Sequence, residues 1–154
     1  MKIAIVSDTH DNIKNFIKSI EYLNKNKVKT ILHCGDISNQ ETIDVAKSKF
    51  KGQIKFVKGN ADFNLVDLPE KMEIKIEGKN ILFCHFPEIA RKAAGSGKYD
   101  MVFYGHTHRP WEERVAGCRI ANPGELAGQL YKPTFAIYDT ETDLLQLKIL
   151  DRLH

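Results

Sequence analysis

Three short apolar runs near the N-terminus, KIAIV, KTILH and QIKFV, are separated by two stretches whose apolar residues recur at helical spacing. In the first stretch Ile13, Phe16, Ile17, Ile20 and Leu23 share a face; in the second, NQETIDVAKSKF, Ile43, Ala46 and Phe50 do. Asp11 or Asn12 stands where it can cap the first helix. Strands that alternate with helices need crossover connections, and these are right-handed and lay the strands parallel. This rhythm makes the opening of the chain α/β.

The rhythm changes after LPEKM. EIKI and ILFCH, joined through EGKN, read as two strands linked by a tight glycine-containing turn. EIARKAAGSGKY gives a short helix closed by Gly95 or Gly97, and MVFYGH another buried strand. The remaining runs EERVAGCRIA, TFAIYD and LLQLKIL predict antiparallel strands, with turns at Ala116-Gly117 and from Thr140 to Asp143. One α/β domain with two packed sheets, spanning residues 1–154, accommodates all of this without an internal repeat or linker.

With Lys+Arg 23 against Asp+Glu 20 the net charge is +3, and no basic block stands out, so dedicated nucleic-acid binding is not expected. Cys34, Cys84 and Cys118 are widely spaced within apolar runs and form no CxxC pattern. They read as buried free thiols in a reducing compartment. The run after Met1-Lys2 is interrupted too soon by Asp8 to be a signal peptide, and no apolar stretch of about 18 residues follows. The expectation is a cytoplasmic protein with no membrane association, and its exposed apolar strands are compatible with a homodimer.

Nearly every buried run ends in a residue able to bind a cation. Asp8 and His10 follow the first, Asp36 the second and Asn60 the third; His85 follows ILFC, and His106 and His108 follow MVFY. In open α/β sheets ligands sit beyond the carboxyl ends of the strands, so these segments can converge. An extended backbone would aim His106 and His108 to one side, with Gly105 giving room for close approach. Each piece alone has a plainer role: Asp8 or Asp11 as a helix cap, His10 as a loop residue, Asp36 and Asn60 as turn residues after glycine. His33 and Cys34 read as packing residues. The joint ordering at strand ends is what carries the signal.

Taken together, DTH at Asp8 to His10, GD at Gly35-Asp36, GN at Gly59-Asn60, His85, and GHTH at Gly105 to His108 resemble the five blocks of the calcineurin-like metallophosphoesterase superfamily. The following RP, the spacing and the short length are most similar to its small prokaryotic phosphodiesterases. The resemblance implies a four-layer sandwich of two mixed β-sheets flanked by helices. It implies one metal held by Asp8, His10 and His108, another by Asn60, His85 and His106, and Asp36 bridging both. Asp36, Asn60 and His85 are then the residues on which catalysis would rest.

Two divalent ions about 3.5 to 4 Å apart can clamp a phosphate and generate hydroxide from a bridging water at neutral pH. The mixed carboxylate, carboxamide and imidazole donors suit Mn²⁺ or Zn²⁺ first, and Ni²⁺ or Fe²⁺ next, better than Mg²⁺. The expected activity is hydrolysis of a small phosphodiester.

The chain departs from the pattern in three places. Many members carry histidine after GN, where it can assist the leaving group, whereas this block is GNAD with Ala61; Asp62 reads as a residue that stabilises the loop. His85 is followed by Phe86-Pro87 in place of glycine and often histidine. After the Asn122-Pro123-Gly124 turn, Glu125 replaces a small hydroxyl residue, where it can repel a phosphate, accept from a sugar hydroxyl or face solvent. Arg109 can meet a phosphate or form a structural pair. These departures keep two other readings open: a catalytically weak interaction scaffold, as in the eukaryotic retromer subunit of this fold, and a phosphomonoesterase.

Overall fold

The first apolar run forms β1 (Lys2–Val6), and a loop leads to α1 (Ile13–Lys25), capped by Asn12, whose side chain accepts the Asn15 N–H. Asp11 serves the next helix instead, accepting from Asn39 N–H and the Thr42 hydroxyl. β2 (Thr30–His33), α2 (Gln40–Lys49) and β3 (Gln53–Phe56) complete the alternating half. β4 (Lys71–Ile76) and β5 (Lys79–Cys84) form a hairpin whose two turn residues, Glu77 and Gly78, both have positive φ, as a tight right-twisted turn demands. After α3 (Pro87–Gly95) come β6 (Met101–Phe103), β7 (Trp111–Val115), β8 (Cys118–Asn122), β9 (Thr134–Asp139) and β10 (Leu144–Ile149). This computed structural model describes residues 1–153.

Two mixed five-stranded sheets result, in the orders β10-β9-β1-β2-β3 and β4-β5-β6-β8-β7. β1, β2 and β3 run parallel, and β9 closes antiparallel on β1. In the second sheet β5, β6 and β8 are parallel, with β4 and β7 antiparallel at the edges.

Alternation along each strand builds the layers. Ala4 and Val6 face α1 and α2 with Phe16, Ile20, Leu23 and Ile43, while Ile3 and Ile5 face the other sheet with Phe83, Phe103 and Tyr138. Leu82, Val102 and Ile120 point outward to α3. The central strands are buried on both faces, which is why they read as unbroken apolar runs. The order is helices, sheet, sheet, helix, as expected from the resemblance.

Two local readings shift. Gly95 ends up inside α3, and Gly97, with φ of +77°, turns the chain after it. The run MVFYGH is strand only through Phe103; His106 and His108 have φ of 72° and 64°, left-handed rather than extended.

Candidate metal centre

The loops after β1, β2, β3, β5 and β6 meet at one end of the two sheets. Several of their residues adopt left-handed backbone, including Asp8, His10, Asp36, His106 and His108. Each such non-glycine residue costs about 1 to 3 kcal/mol. Burying one large apolar side chain returns about 1.5 to 3 kcal/mol, so the apolar layers beneath can hold the strained loops. The loops also hold each other: Asp8 N–H donates to the Gly35 carbonyl at 2.9 Å, His10 N–H to that of Asp36 at 2.9 Å, and Gly105 N–H to that of His85 at 3.1 Å. A Cβ on Gly105 would collide with the Ser7 hydroxyl, and one on Gly59 with Asp36. These glycines let the loops approach.

Donor atoms of Asp8, His10, Asp36 and His108 all lie within 4.8 Å of one another. Asp36 Oδ2 is 3.5 Å from His10 Nε2 and 3.3 Å from His85 Nε2, so it stands between two groups. On its far side Asn60 Oδ1 is 2.9 Å from His85 Nε2 and 3.1 Å from His106 Nδ1. All seven expected residues therefore converge. His106 and His108 do so through turn geometry, each joining a different group.

Asp8 tests whether this cluster fits a cation. Its Oδ2 accepts from the Ser7 hydroxyl at 2.6 Å and from His106 N–H at 3.1 Å. Its Oδ1 is fully buried and has no hydrogen-bond partner among the described residues. His108 Nε2 at 3.3 Å and His10 Nε2 at 3.7 Å pull on that oxygen electrostatically without hydrogen-bond geometry. A buried acceptor left alone costs about 1 to 3 kcal/mol, and a metal ion is the partner these donors suit.

The local field agrees. Burial pushes Asp8 up, yet His10, His108, His85 and Ser7 outweigh it and hold its carboxyl below the usual range. Burial likewise opposes ionisation of Asp36, and His85 and the Ala61 N–H overcome it. Contact with Asp8, against the cost of burial, raises His108 to about 9. Two buried carboxylates thus favour positive charge at this point.

The supporting residues differ from expectation in instructive ways. Asp62 does stabilise its loop, accepting from the backbone N–H groups of Asp36, Ser38 and Gly59 at 2.7 to 2.8 Å. Asn122 does more than turn the chain: its amide donates to the Gly105 carbonyl and the Thr107 hydroxyl, both at 3.0 Å. His33 is more than packing, since its Nδ1 accepts from Gly35 N–H at 3.1 Å and its Nε2 meets the Thr9 hydroxyl at 2.8 Å. Glu125 fits none of its three expected roles; it is fully buried and meets His108 Nδ1 at 2.7 Å. The Arg109 guanidinium lies over the Trp111 ring, 4.9 Å from its centre. Cys34, Cys84 and Cys118 are free and buried, and none belongs to the Asp8, His10, Asp36 and His108 group.

Comparison with known proteins decides the family, because residues 1–143 match the calcineurin-like phosphoesterase superfamily domain. The chain belongs to that superfamily. A phosphodiesterase of Methanocaldococcus jannaschii, MJ0936, is 36% identical over 157 residues, covering 92% of this chain and 94% of that protein. The solved structure of an archaeal phosphodiesterase superposes with a TM-score of 0.89 at 32% identity, covering 97% of this chain and 99% of the other. Vps29 of Chaetomium thermophilum shares the calcineurin-like fold, with a TM-score of 0.74 at 17% identity over 97% of this chain and 94% of its own. Members of the superfamily depend on metal, and the Asp8, His10, Asp36 and His108 group can hold an ion. Among the described residues no helix is long and apolar enough to cross a membrane.

Proposed function

We propose that this protein is a phosphodiesterase with two divalent metal ions, Asp8, His10 and His108 holding one, Asn60, His85 and His106 the other, and Asp36 both. The observation that carries the reading is the buried, unpartnered Asp8 Oδ1 in the group it forms with His10, Asp36 and His108. The likeness to the archaeal phosphodiesterases supports the choice of reaction. When bound, the ions supply Lewis-acid charge to phosphate oxygens and acidify water. Mn²⁺ or Zn²⁺ suits this mixed nitrogen and oxygen set.

The chain's own residues then shape the substrate. Ala61 offers no side-chain acid; its backbone N–H is directed to Asp36 Oδ1 at 2.8 Å. General acid help is commonly worth about 10² to 10⁴ in rate, so its lack favours diesters with good leaving groups. Phe86 lies edge-on to His85 and tilted on His106, with ring centres 5.1 and 5.2 Å away, an apolar wall beside the donors. Such a wall suits a singly charged diester better than a dianionic monoester.

The test is hydrolysis of an activated aryl phosphodiester, beside the matching monoester, by chelator-stripped protein resupplied separately with Mn²⁺, Zn²⁺, Ni²⁺ or Mg²⁺. Diester cleavage should return with Mn²⁺ or Zn²⁺ and fall at least about 10²-fold in Asp36→Asn and His108→Ala. Stoichiometric metal uptake without turnover would overturn the enzymatic reading in favour of a scaffold, and preferential monoester cleavage would overturn the substrate class.

A further inference from the structure

Glu125 is a fully buried acid outside the donor set, near the start of the loop that joins β8 to β9. Its carboxylate meets His108 Nδ1 at 2.7 Å, accepts the Leu130 N–H at 3.1 Å, and also accepts the Gln129 N–H. These backbone donors keep the carboxylate facing its own loop, so it does not swing into the cluster. The same loop is tied to the first ligand segment, Leu126 N–H donating to the Ser7 carbonyl at 2.9 Å and Ala127 N–H to that of Asp8 at 3.0 Å.

We propose that Glu125 is a positioning residue of the metal centre, holding the His108 proton on Nδ1 so that Nε2 is the donor facing Asp8 and His10. An imidazole can offer a metal only the nitrogen that carries no proton, so the partner of one nitrogen selects the other. His108 Nε2 lies 3.3 Å from both Asp8 Oδ1 and His10 Nε2, where a donor is needed. For His85 the same task falls to a neutral acceptor, the Cys34 carbonyl, 2.8 Å from its Nδ1. A carboxylate is the stronger acceptor and raises the electron density its imidazole can give. The centre is therefore built unequally, and Glu125 reinforces the half that contains Asp8. This inference rests on the reading of the cluster as a two-metal site.

The experiment compares wild type, Glu125→Gln and Glu125→Ala. Zn²⁺ is titrated calorimetrically into each chelator-stripped protein, and the His108 ring is followed by nitrogen NMR in the Zn²⁺-loaded state. Wild type should bind two ions, with a slowly exchanging proton on His108 Nδ1. Glu125→Ala should lose that protection and weaken one binding event by about 10- to 100-fold while sparing the other. Glu125→Gln, which keeps the shape and an acceptor oxygen, should retain the Nδ1 proton and show a smaller loss at the same event. If Glu125 merely staples its loop, Glu125→Ala would lower the melting temperature and both variants would bind Zn²⁺ like wild type; that result, or a wild-type proton on Nε2, overturns the inference. Wild type that takes up no Zn²⁺ would bring down the metal-centre reading itself, and the inference with it.

Discussion

Asp62 gathers three backbone N–H groups onto one buried carboxylate, and two of them belong to Asp36 and to Gly59, the neighbour of Asn60. In Asp62→Asn one acceptor oxygen becomes an N–H₂ that faces other donors. The expected loss of stability is about 1 to 3 kcal/mol, read from urea unfolding monitored by circular dichroism, with Asp36 and Asn60 left less well fixed. At this scale the convergence of the seven residues was legible because each follows a buried run, several beside a glycine. Glu125, Asn122 and the polar role of His33 were not, since their partners lie on other loops: His108 for Glu125, Gly105 and Thr107 for Asn122, Thr9 for His33. A single buried-looking polar letter does not say which loop will meet it.

Among elements, β2 shows how a strand end governs two loops at once. His33, its last residue, is fully buried and links the Thr9 hydroxyl to the Gly35 backbone N–H, and burial depresses it to about 3. Unfolded, the same imidazole takes its proton near pH 6.5. The folded state refuses a proton that the unfolded state accepts, so the His33 contribution to stability is full above about pH 6.5 and falls as pH drops towards 3. His10, His85 and His108 are shifted upward and lose their pH dependence once both states are protonated, leaving His33 as the histidine that sets the slope below pH 6. Chelator-stripped protein should lose about tenfold in its folding constant per pH unit between pH 6 and 5, by urea titration. His33→Asn should flatten that slope. Periodicity found the helices and strands because they are amphipathic or buried on both faces, and the Glu77-Gly78 turn announced its hairpin. It failed past Phe103, where tertiary contacts from Ser7, Asn122 and Asp8 override an extended reading of GHTH.

For the molecule as a whole, the donors come from both sheets: Asp8, His10, Asp36 and Asn60 follow strands of one, His85, His106 and His108 strands of the other. Metal in the centre would therefore cross-link the sandwich. At about 100 times its dissociation constant, one bound ion adds about 2.7 kcal/mol, and a protein of this size should melt about 5 to 10 °C higher. Differential scanning fluorimetry with and without Mn²⁺ checks this, and Asp36→Asn should abolish the shift. Two packed sheets were legible from the change of rhythm after LPEKM. The joining of β9 to β1 was not, because antiparallel runs near the C-terminus fit either sheet equally well by pattern alone. That pairing has a consequence for the life of the chain. β1, made long before β9, lies between β2 and a strand that begins only at Thr134, and Glu125 and His108 also follow it late in synthesis. A growing chain can present Asp8 and His10 long before it can enclose them, so metal capture would be a closing event in its biogenesis rather than a seed for folding.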